Sequence, residues 1–466
     1  MPDISAGDTA WVLTSAALVL LMTPALAFFY GGMVRMKSVL NMMMMSFGAL
    51  ALVAVMWALW GYSMAFGNDV GGKGLVGDPF QYFGLKGLMN SAILQHMDDA
   101  GKAIPGTGIP AYAFVAFQAV FAIITVALIS GAIADRVKFG AWMVFAFFWA
   151  TICYFPVAHW VFAFDDVTGT GGGWIANKLK AIDFAGGTAV HINAGAAGLA
   201  LALIVGKRIG FGKTPMRPHN VPFVMLGAGL LWFGWFGFNA GSAVAANGTA
   251  SITWVNTMIA TAAAGLAWAI TEKIRDGKST SLGVASGIVA GLVAITPSCS
   301  SVNTVGAIAI GVAAGVLCAL AIGLKYKLGY DDSLDVVGVH LIGGIIGTLM
   351  VGLVATEEAP AAVNGLFYGG GFNQLWRQAV AAGAVMVYSF IVAGILGLII
   401  HKTMGMRISK DDEITGIDLT VHAETAYEFA EGTFGGSFAD DKSPATPASA
   451  PDAEKIDGSV KQEVKA

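Results

Sequence analysis

Long apolar runs alternate with short polar segments along most of the chain. Eleven of these runs are long enough to cross a bilayer as a helix, which takes about 20 residues. The sequence therefore predicts an all-α, polytopic membrane protein with eleven transmembrane helices. The runs begin near Thr9, Asn41, Tyr112, Phe139, Phe184, Val221, Ile252, Leu282, Thr304, Val336 and Ala379.

Basic residues are concentrated in every second loop between these runs. Short loops rich in Lys and Arg favour the cytoplasmic side of a membrane. The other loops mix lysines with many acidic residues. We therefore expect the N-terminus outside the cell and the C-terminal tail inside it. The basic loops carry Arg35, Lys37, Arg136, Lys138, Lys207, Arg208, Lys213, Arg217, Lys273, Arg275, Lys278, Lys325, Lys327, Lys402, Arg407 and Lys410.

The composition agrees with burial in lipid. Of 466 residues, 56% are hydrophobic and 12% are charged, and 62 are glycine. Small residues let helices approach closely in a bilayer, where no hydrophobic force drives their association. The net charge of -4 indicates no nucleic-acid partner, and three cysteines, Cys153, Cys299 and Cys318, provide no disulfide or metal framework.

One short pattern, D-x6-VH-x3-G-x2-G, occurs twice, from Asp183 to Gly198 and from Asp332 to Gly347. Each copy opens an apolar run and places a histidine, His191 or His340, about 12 Å along the helix, near the bilayer midplane. Ionisable groups are costly there, so both histidines are candidate functional residues. The alternative is that each is a hydrogen-bonded core histidine.

The two copies also predict the organisation of the chain. His191 falls on the fifth run and His340 on the tenth, which indicates a five-plus-five repeat followed by one extra helix. Each half has an odd number of helices, so the second half crosses the membrane in the opposite direction to the first. Both histidines can then meet at the interface between the repeats, where inverted-repeat transporters place their substrate path.

The predicted regions are an external segment, a membrane domain and two cytoplasmic tails. The Pro- and Ala-rich, charged end of the chain is typical of disorder. The regions are residues 1–8 outside; 9–406 in the membrane, with halves at about 9–206 and 221–356 and an extra helix at about 378–401; a regulatory tail, 407–438; and a disordered tail, 439–466.

Two buried imidazoles can hydrogen-bond in series, which suits either a proton or a small neutral molecule. Neither helix offers a Cys, Glu or third His within a turn of its histidine, so we predict no metal and no cofactor. An enzyme would need a nucleophile or a metal beside the pair.

Asp183 and Asp332 suit helix N-caps, and Asp183 could also stabilise an arriving cation.

Aromatic residues recur at helical spacing in two runs. Phe117 and Phe121 are four apart on the third run, and Phe238 and Ser242 are four apart on the sixth. Such stripes usually belong to the core of a membrane protein. They would also suit the lining of a small cation path, because ring faces attract ammonium-type ions.

Seven long segments resemble the ammonium transporter family, whose relatives include the Rhesus glycoproteins. The resemblance covers roughly Asp8 to Phe429. The segments are Phe29–Asn41, Ala116–Arg136, Tyr154–Phe162, Asp183–Leu203, Gly234–Ala243, Val255–Trp268 and Asp331–Leu349.

The resemblance implies a homotrimer with one pore through each eleven-helix subunit. It implies a recruitment site at Ser242 with aromatic walls that include Phe117, and a supporting aspartate at Asp183. It also implies a stacked phenyl gate at Phe121 and Phe238, followed by twin histidines at His191 and His340.

One position departs from the family pattern. Where the family usually has a tryptophan followed by three glycines, this chain has Phe162, and eight residues intervene before the glycines. A phenyl ring attracts cations more weakly than an indole. Either Phe162 or Trp174 is the candidate for that part of the recruitment site.

The resemblance implies uptake of ammonium, with loss of a proton at the gate and passage of ammonia along the histidines. It implies location in the inner (plasma) membrane, among lipid, and a PII-type signal protein as a partner of the segment Glu413–Phe429. Two alternatives remain open: a Rhesus-type channel for neutral ammonia, and an ammonium sensor that signals through the tail.

Overall fold

The computed structural model describes residues 4–94, 104–165 and 171–428. Residues up to Ala426 form one compact unit, and of the second, which begins at Tyr427, only the first two residues are described. The predicted disordered tail, 439–466, and the end of the predicted regulatory tail, 429–438, lie outside the described residues.

Within these residues, ten helices are long and apolar enough to cross a membrane, and an eleventh apolar helix, α8, has 15 residues. At 1.5 Å per residue α8 is about 22 Å long, so eleven full crossings stay a prediction. The helices are α1 (Ala6–Met33), α2 (Met36–Phe66), α3 (Ala111–Ile133), α4 (Phe139–Phe162), α5 (Gly187–Val205), α6 (Val221–Ala243), α7 (Gly248–Asp276), α8 (Ser281–Ile295), α9 (Thr304–Leu328), α10 (Val337–Val354) and α11 (Asn373–Thr403).

Short elements complete the fold. Strands β1 (Ala92–Ile93) and β2 (Ile109–Pro110) pair antiparallel in the long loop before α3. After α11 come two helices of one to two turns, α12 (Lys410–Thr415) and α13 (Ile417–His422).

Two of the helix boundaries that differ from the hydrophobic pattern have a structural reason. The fifth helix begins at Gly187 rather than near Phe184, because the carboxylate of Asp183 binds the backbone ahead of it. The last helix begins at Asn373 rather than at about 378, because its first turns contain polar residues that resemble a loop in the sequence. One of those residues, Gln378, is fully buried.

Both candidate histidines lie in a π turn, a local widening of the helix in which hydrogen bonds span five residues. His191 lies in the π turn Gly187–Ile192, and His340 lies in the π turn Val337–Leu341. Such turns are rare and often occur at functional sites, because they change the direction in which a side chain projects.

Helices α5 and α10 cross at the glycines of the repeated pattern, and the contact is reciprocal. A Cβ atom on Gly195 would lie 2.5 Å from the backbone nitrogen of Leu341, and a Cβ atom on Gly344 would lie 2.9 Å from the backbone oxygen of Gly187. Each glycine stands four residues after its own histidine. The absence of side chains at these positions therefore lets the two histidine-bearing segments touch.

The described part of the C-terminal tail packs against the start of α2 and the loop after α5. The Asp418 carboxylate accepts hydrogen bonds from the backbone nitrogens of Leu40 and Asn41 at 2.9 and 2.8 Å. Glu413 is buried, accepts from the backbone nitrogen of Ile209 at 2.7 Å, and pairs with Arg407 at 2.7 Å. These bonds tie α12 and α13 to the ends of the membrane helices.

Replacing Gly195 by Ala should destabilise the protein, because the new methyl group would overlap the backbone of α10. We expect a loss of about 1–3 kcal/mol, the usual effect of overpacking. The measurement is the midpoint of thermal unfolding of the detergent-solubilised protein. Gly383→Ala on α11 is the control, since nothing lies within 4 Å of its added Cβ. An unchanged midpoint in Gly195→Ala would contradict the close crossing.

Candidate functional site

The structure brings the two histidines of the repeated pattern into direct contact. The Nδ1 atoms of His191 and His340 are 3.3 Å apart, and the ring planes lie within 21° of each other. The two side chains are 1% and 3% exposed. This geometry follows from the glycine crossing of α5 and α10.

A hydrogen bond between two ring nitrogens restricts where protons can lie. One Nδ1 must donate and the other must accept, so the pair cannot carry a proton on all four nitrogens. Whichever ring accepts at Nδ1 presents an N–H at its Nε2 when it is neutral. The Nε2 atom of His191 is buried and has no hydrogen-bond partner within the described residues. It is therefore available to a small hydrogen-bonding molecule.

A narrow cavity lies beside the two rings. Its volume is about 10 Å³, counted as room for the centre of a water-sized molecule, which is the space of about one water. Trp235 and Phe238 contribute to its wall together with the histidines, and the remaining wall is mostly aliphatic. The cavity suits one small molecule without a hydration shell.

The predicted gate residues form a stacked pair on one side of the histidines. The rings of Phe121 and Phe238 are 4.1 Å apart between centroids, with planes 18° apart, and both are buried. The Phe238 ring lies 6.1 Å from the His191 ring. At this stacking distance no molecule fits between the two rings.

Three of the residues predicted for recruitment lie next to this pair. Phe117 and Phe162 lie 4.9 and 6.4 Å from Phe121 between ring centroids. The Ser242 hydroxyl donates to the backbone oxygen of Phe238 at 2.8 Å. Trp174, the other candidate for the place of Phe162, packs on Trp160 at 5.8 Å.

The carboxylate of Asp183 is bound by the chain that follows it. Its oxygens accept from the backbone nitrogens of Gly186, Gly187, Thr188 and Ala189 at 2.6–3.3 Å, and from the Thr188 hydroxyl. These are the free N–H groups that begin α5. Asp183 thus fixes the turn that leads to His191, and each of these donors is uncharged.

The equivalent Asp332 has a different environment. It accepts from the backbone nitrogens of Val336 and Val337 at 3.1 and 2.7 Å. Burial raises the pKa of Asp332 to about 6; the Asp335 carboxylate adds to the rise and the Lys325 ammonium opposes it. Lys325 pairs with Asp335 at 2.6 Å. The second copy therefore has one ammonium group beside two carboxylates, whereas the first has uncharged partners.

Residues 10–427, which contain the whole site, match the model of the Ammonium Transporter Family. This chain belongs to the ammonium transporter family. An ammonium transporter of Mycobacterium tuberculosis is 66% identical over 440 residues, with 92% of this chain and 91% of the relative covered. One of Aquifex aeolicus is 46% identical, with 91% and 94% covered.

Solved structures agree with this assignment. Mep2 of Saccharomyces cerevisiae has a TM-score of 0.77 at 33% identity, with 88% of this chain and 91% of that chain covered. A protein described as a sensor Amt protein has a TM-score of 0.79 at 29% identity, with 89% and 97% covered. The family is one of transporters rather than enzymes, and the chain is a multi-pass membrane protein.

Trp235 is a site residue of this family member that the sequence analysis missed. Its indole stacks on the His191 ring at 5.3 Å, with planes 18° apart, and its Nε1 donates to the Thr296 hydroxyl at 2.9 Å. It therefore orients one face of His191. The available signal was its spacing three residues before Phe238, which places both rings on one helix face.

Changing Asp183 to Asn should loosen the turn before His191. The amide nitrogen of Asn cannot accept the bonds that one carboxylate oxygen now receives, so buried donors lose their partner. We expect a loss of about 1–3 kcal/mol of stability, measured by thermal unfolding in detergent. Asp276→Asn, which changes an exposed carboxylate, is the control. Equal midpoints in both variants would show that Asp183 does not hold this turn.

Proposed function

We propose that this protein takes up ammonium through a pore within each subunit, releasing a proton at the phenyl gate and passing ammonia along the two histidines. The observation that carries the proposal is the 3.3 Å contact between His191 and His340 directly behind the stacked rings of Phe121 and Phe238. This arrangement suits a molecule that sheds its charge before it enters.

Capture of ammonium is assigned to Ser242, Phe117 and Phe162, with support from Asp183. The Ser242 hydroxyl gives its proton to a backbone oxygen, so its lone pairs can accept an N–H bond. The rings provide negative faces to a cation. The Asp183 carboxylate is hydrogen-bonded only by uncharged groups, so its negative charge favours a cation nearby.

Deprotonation is the less costly way past the gate. Transfer of a bare ion into an apolar medium costs tens of kcal/mol in the Born limit. Removal of a proton at pH 7 costs about 5 kcal/mol if the pKa is lysine-like. Potassium cannot lose its charge in this way, so the same path discriminates against it.

The two histidines carry the remaining steps. Ammonia can accept a hydrogen bond from one imidazole and donate to the next. The released proton can follow along the hydrogen-bonded pair, since each ring can take a proton at one nitrogen and give one at the other. Proton co-conduction would make net transport electrogenic.

The wider assignment of oligomeric state, location, topology and regulation follows what is expected of the family. It comprises a homotrimer in the inner (plasma) membrane, an inverted five-plus-five repeat with one extra helix, an outside N-terminus, and a cytoplasmic regulatory tail from residue 407 that binds a PII-type signal protein. The docking of Glu413 and Asp418 on the membrane domain supports a tail that senses the state of the helices.

A sensor function is the second candidate, because a sensor Amt protein is among the structural neighbours. A sensor would bind ammonium and carry little flux. A Rhesus-type gas channel would instead show uptake without current. The test is an ammonium-dependent current from reconstituted protein at working concentrations. The proposed function predicts such a current, whereas a sensor or a gas channel would give little or none.

Replacing His191 by Ala should break the histidine pair while the fold is retained. We expect the ammonium current on a solid-supported membrane to fall at least about tenfold, since a positioned proton-transfer group is removed. The ratio of ammonium to potassium current should fall as well. His401→Ala, at the exposed end of α11, is the control. Wild-type current and selectivity in His191→Ala would refute the pair's role.

Replacing Phe162 by Trp should strengthen capture, because an indole face attracts cations more than a phenyl face. We expect the apparent KM for ammonium current to fall about threefold with little change in maximal current. Phe148→Trp, at an exposed position on α4, is the matched control. A KM that stays constant or rises would remove Phe162 from the recruitment site.

A further inference from the structure

Gln378 is a fully buried side chain on α11 whose amide group makes four hydrogen bonds. Its oxygen accepts from the backbone nitrogen of Ile182 at 2.7 Å and from the amide of Gln374 at 2.9 Å. Its nitrogen donates to the backbone oxygens of Ile182 at 2.6 Å and Thr348 at 3.1 Å. Both N–H groups and the oxygen of the amide are therefore engaged.

These partners belong to the two histidine-bearing segments. Ile182 immediately precedes Asp183, whose carboxylate holds the turn that leads to His191. Thr348 lies on α10, eight residues after His340. One side chain from a third helix thus joins the start of one segment to the body of the other.

Ile182 needs such a partner because it lies outside regular structure. The residues between the left-handed Lys180 and the turn at Asp183 form no helix. The backbone N–H and C=O of Ile182 are both bound by the same amide, as in a strand pair. Only a side chain with a donor and an acceptor on one carbon can make this pair of bonds.

We propose that Gln378 is a positioning residue for ammonium capture and proton release. It sets the distance between the Asp183 turn and α10, and so aligns His191 with His340 and keeps the Asp183 charge behind the recruitment site. This inference rests on the proposed function. It gives α11 a role at the pore although Gln378 does not touch the histidines.

The test compares Gln378→Leu, which keeps the volume and removes all four bonds, with Gln378→Glu, which keeps the oxygen acceptors. Tyr388→Phe is the control: it lies on the same helix and removes one bond, from the Tyr388 hydroxyl to the backbone oxygen of Ile152 at 2.6 Å. Purified full-length proteins are reconstituted, and currents after ammonium or potassium jumps are recorded per amount of monodisperse, folded protein.

For Gln378→Leu we expect the apparent KM for ammonium to rise at least about tenfold, or the ammonium-to-potassium ratio to fall by a similar factor. Gln378→Glu should lie between Leu and wild type, and nearer to wild type at low pH, where a protonated carboxyl can donate to one backbone oxygen. Tyr388→Phe should remain within about twofold of wild type.

A merely structural role would reduce the yield of folded protein while KM and selectivity per folded molecule stay within twofold of wild type, and this result would overturn the inference alone. If Gln378→Leu gives no folded protein, the same criterion is applied to Gln378→Glu. A KM and a selectivity of Gln378→Glu equal to those of the wild type at every pH would then overturn the inference. A wild-type protein without ammonium current or uptake overturns the proposed function, and the inference with it.

Discussion

Two imidazoles in an apolar interior have to satisfy each other, and this requirement governs the architecture around them. A buried polar group without a partner costs about 1–3 kcal/mol. His191 and His340 meet part of that requirement with one bond, at 3.3 Å, between their Nδ1 atoms. The bond is possible only because α5 and α10 approach to backbone contact at Gly195 and Gly344. The histidines and glycines of the repeated pattern are therefore parts of one constraint.

That constraint explains how much the sequence could predict. A residue pattern repeated at equal spacing specifies equal geometry in both copies, so the two histidines could be expected to meet. Hydropathy located the apolar runs, because lipid-facing and core positions of a membrane helix are both apolar. The spacing of Phe121 and Phe238 on separate runs gave no distance between them. Their stacking followed only from the family resemblance and from the packing of α3 and α6 on α1.

Other features had no sequence signal because they depend on contacts between distant segments. The π turns at His191 and His340 arise from how α5 and α10 pack, and hydrophobic periodicity cannot distinguish them from ordinary helical turns. Trp235 looked like one of several aromatic residues in its run until its ring was found on His191. Gln378 was predicted only as the first residue of the extra helix, because an amide in the sequence does not reveal which groups it binds.

The two copies of the pattern share their residue spacing and differ in the charged groups beside their aspartates, and this difference bears on direction. Asp183 is held by uncharged donors, so its negative charge is not cancelled at its own end of the pore. At the other end Lys325 pairs with Asp335 beside Asp332. With the proposed orientation, a cation at the outer end meets a carboxylate alone, whereas at the inner end it meets an ammonium group that repels it beside two carboxylates that attract it. Such a difference cannot alter the final equilibrium of ammonium, because a field fixed in the protein supplies no energy over a complete passage. The Asp183 charge raises occupancy of the proposed outer site where ammonium is dilute, and the Lys325 ammonium weakens the hold of the inner carboxylates on the cation formed again after passage.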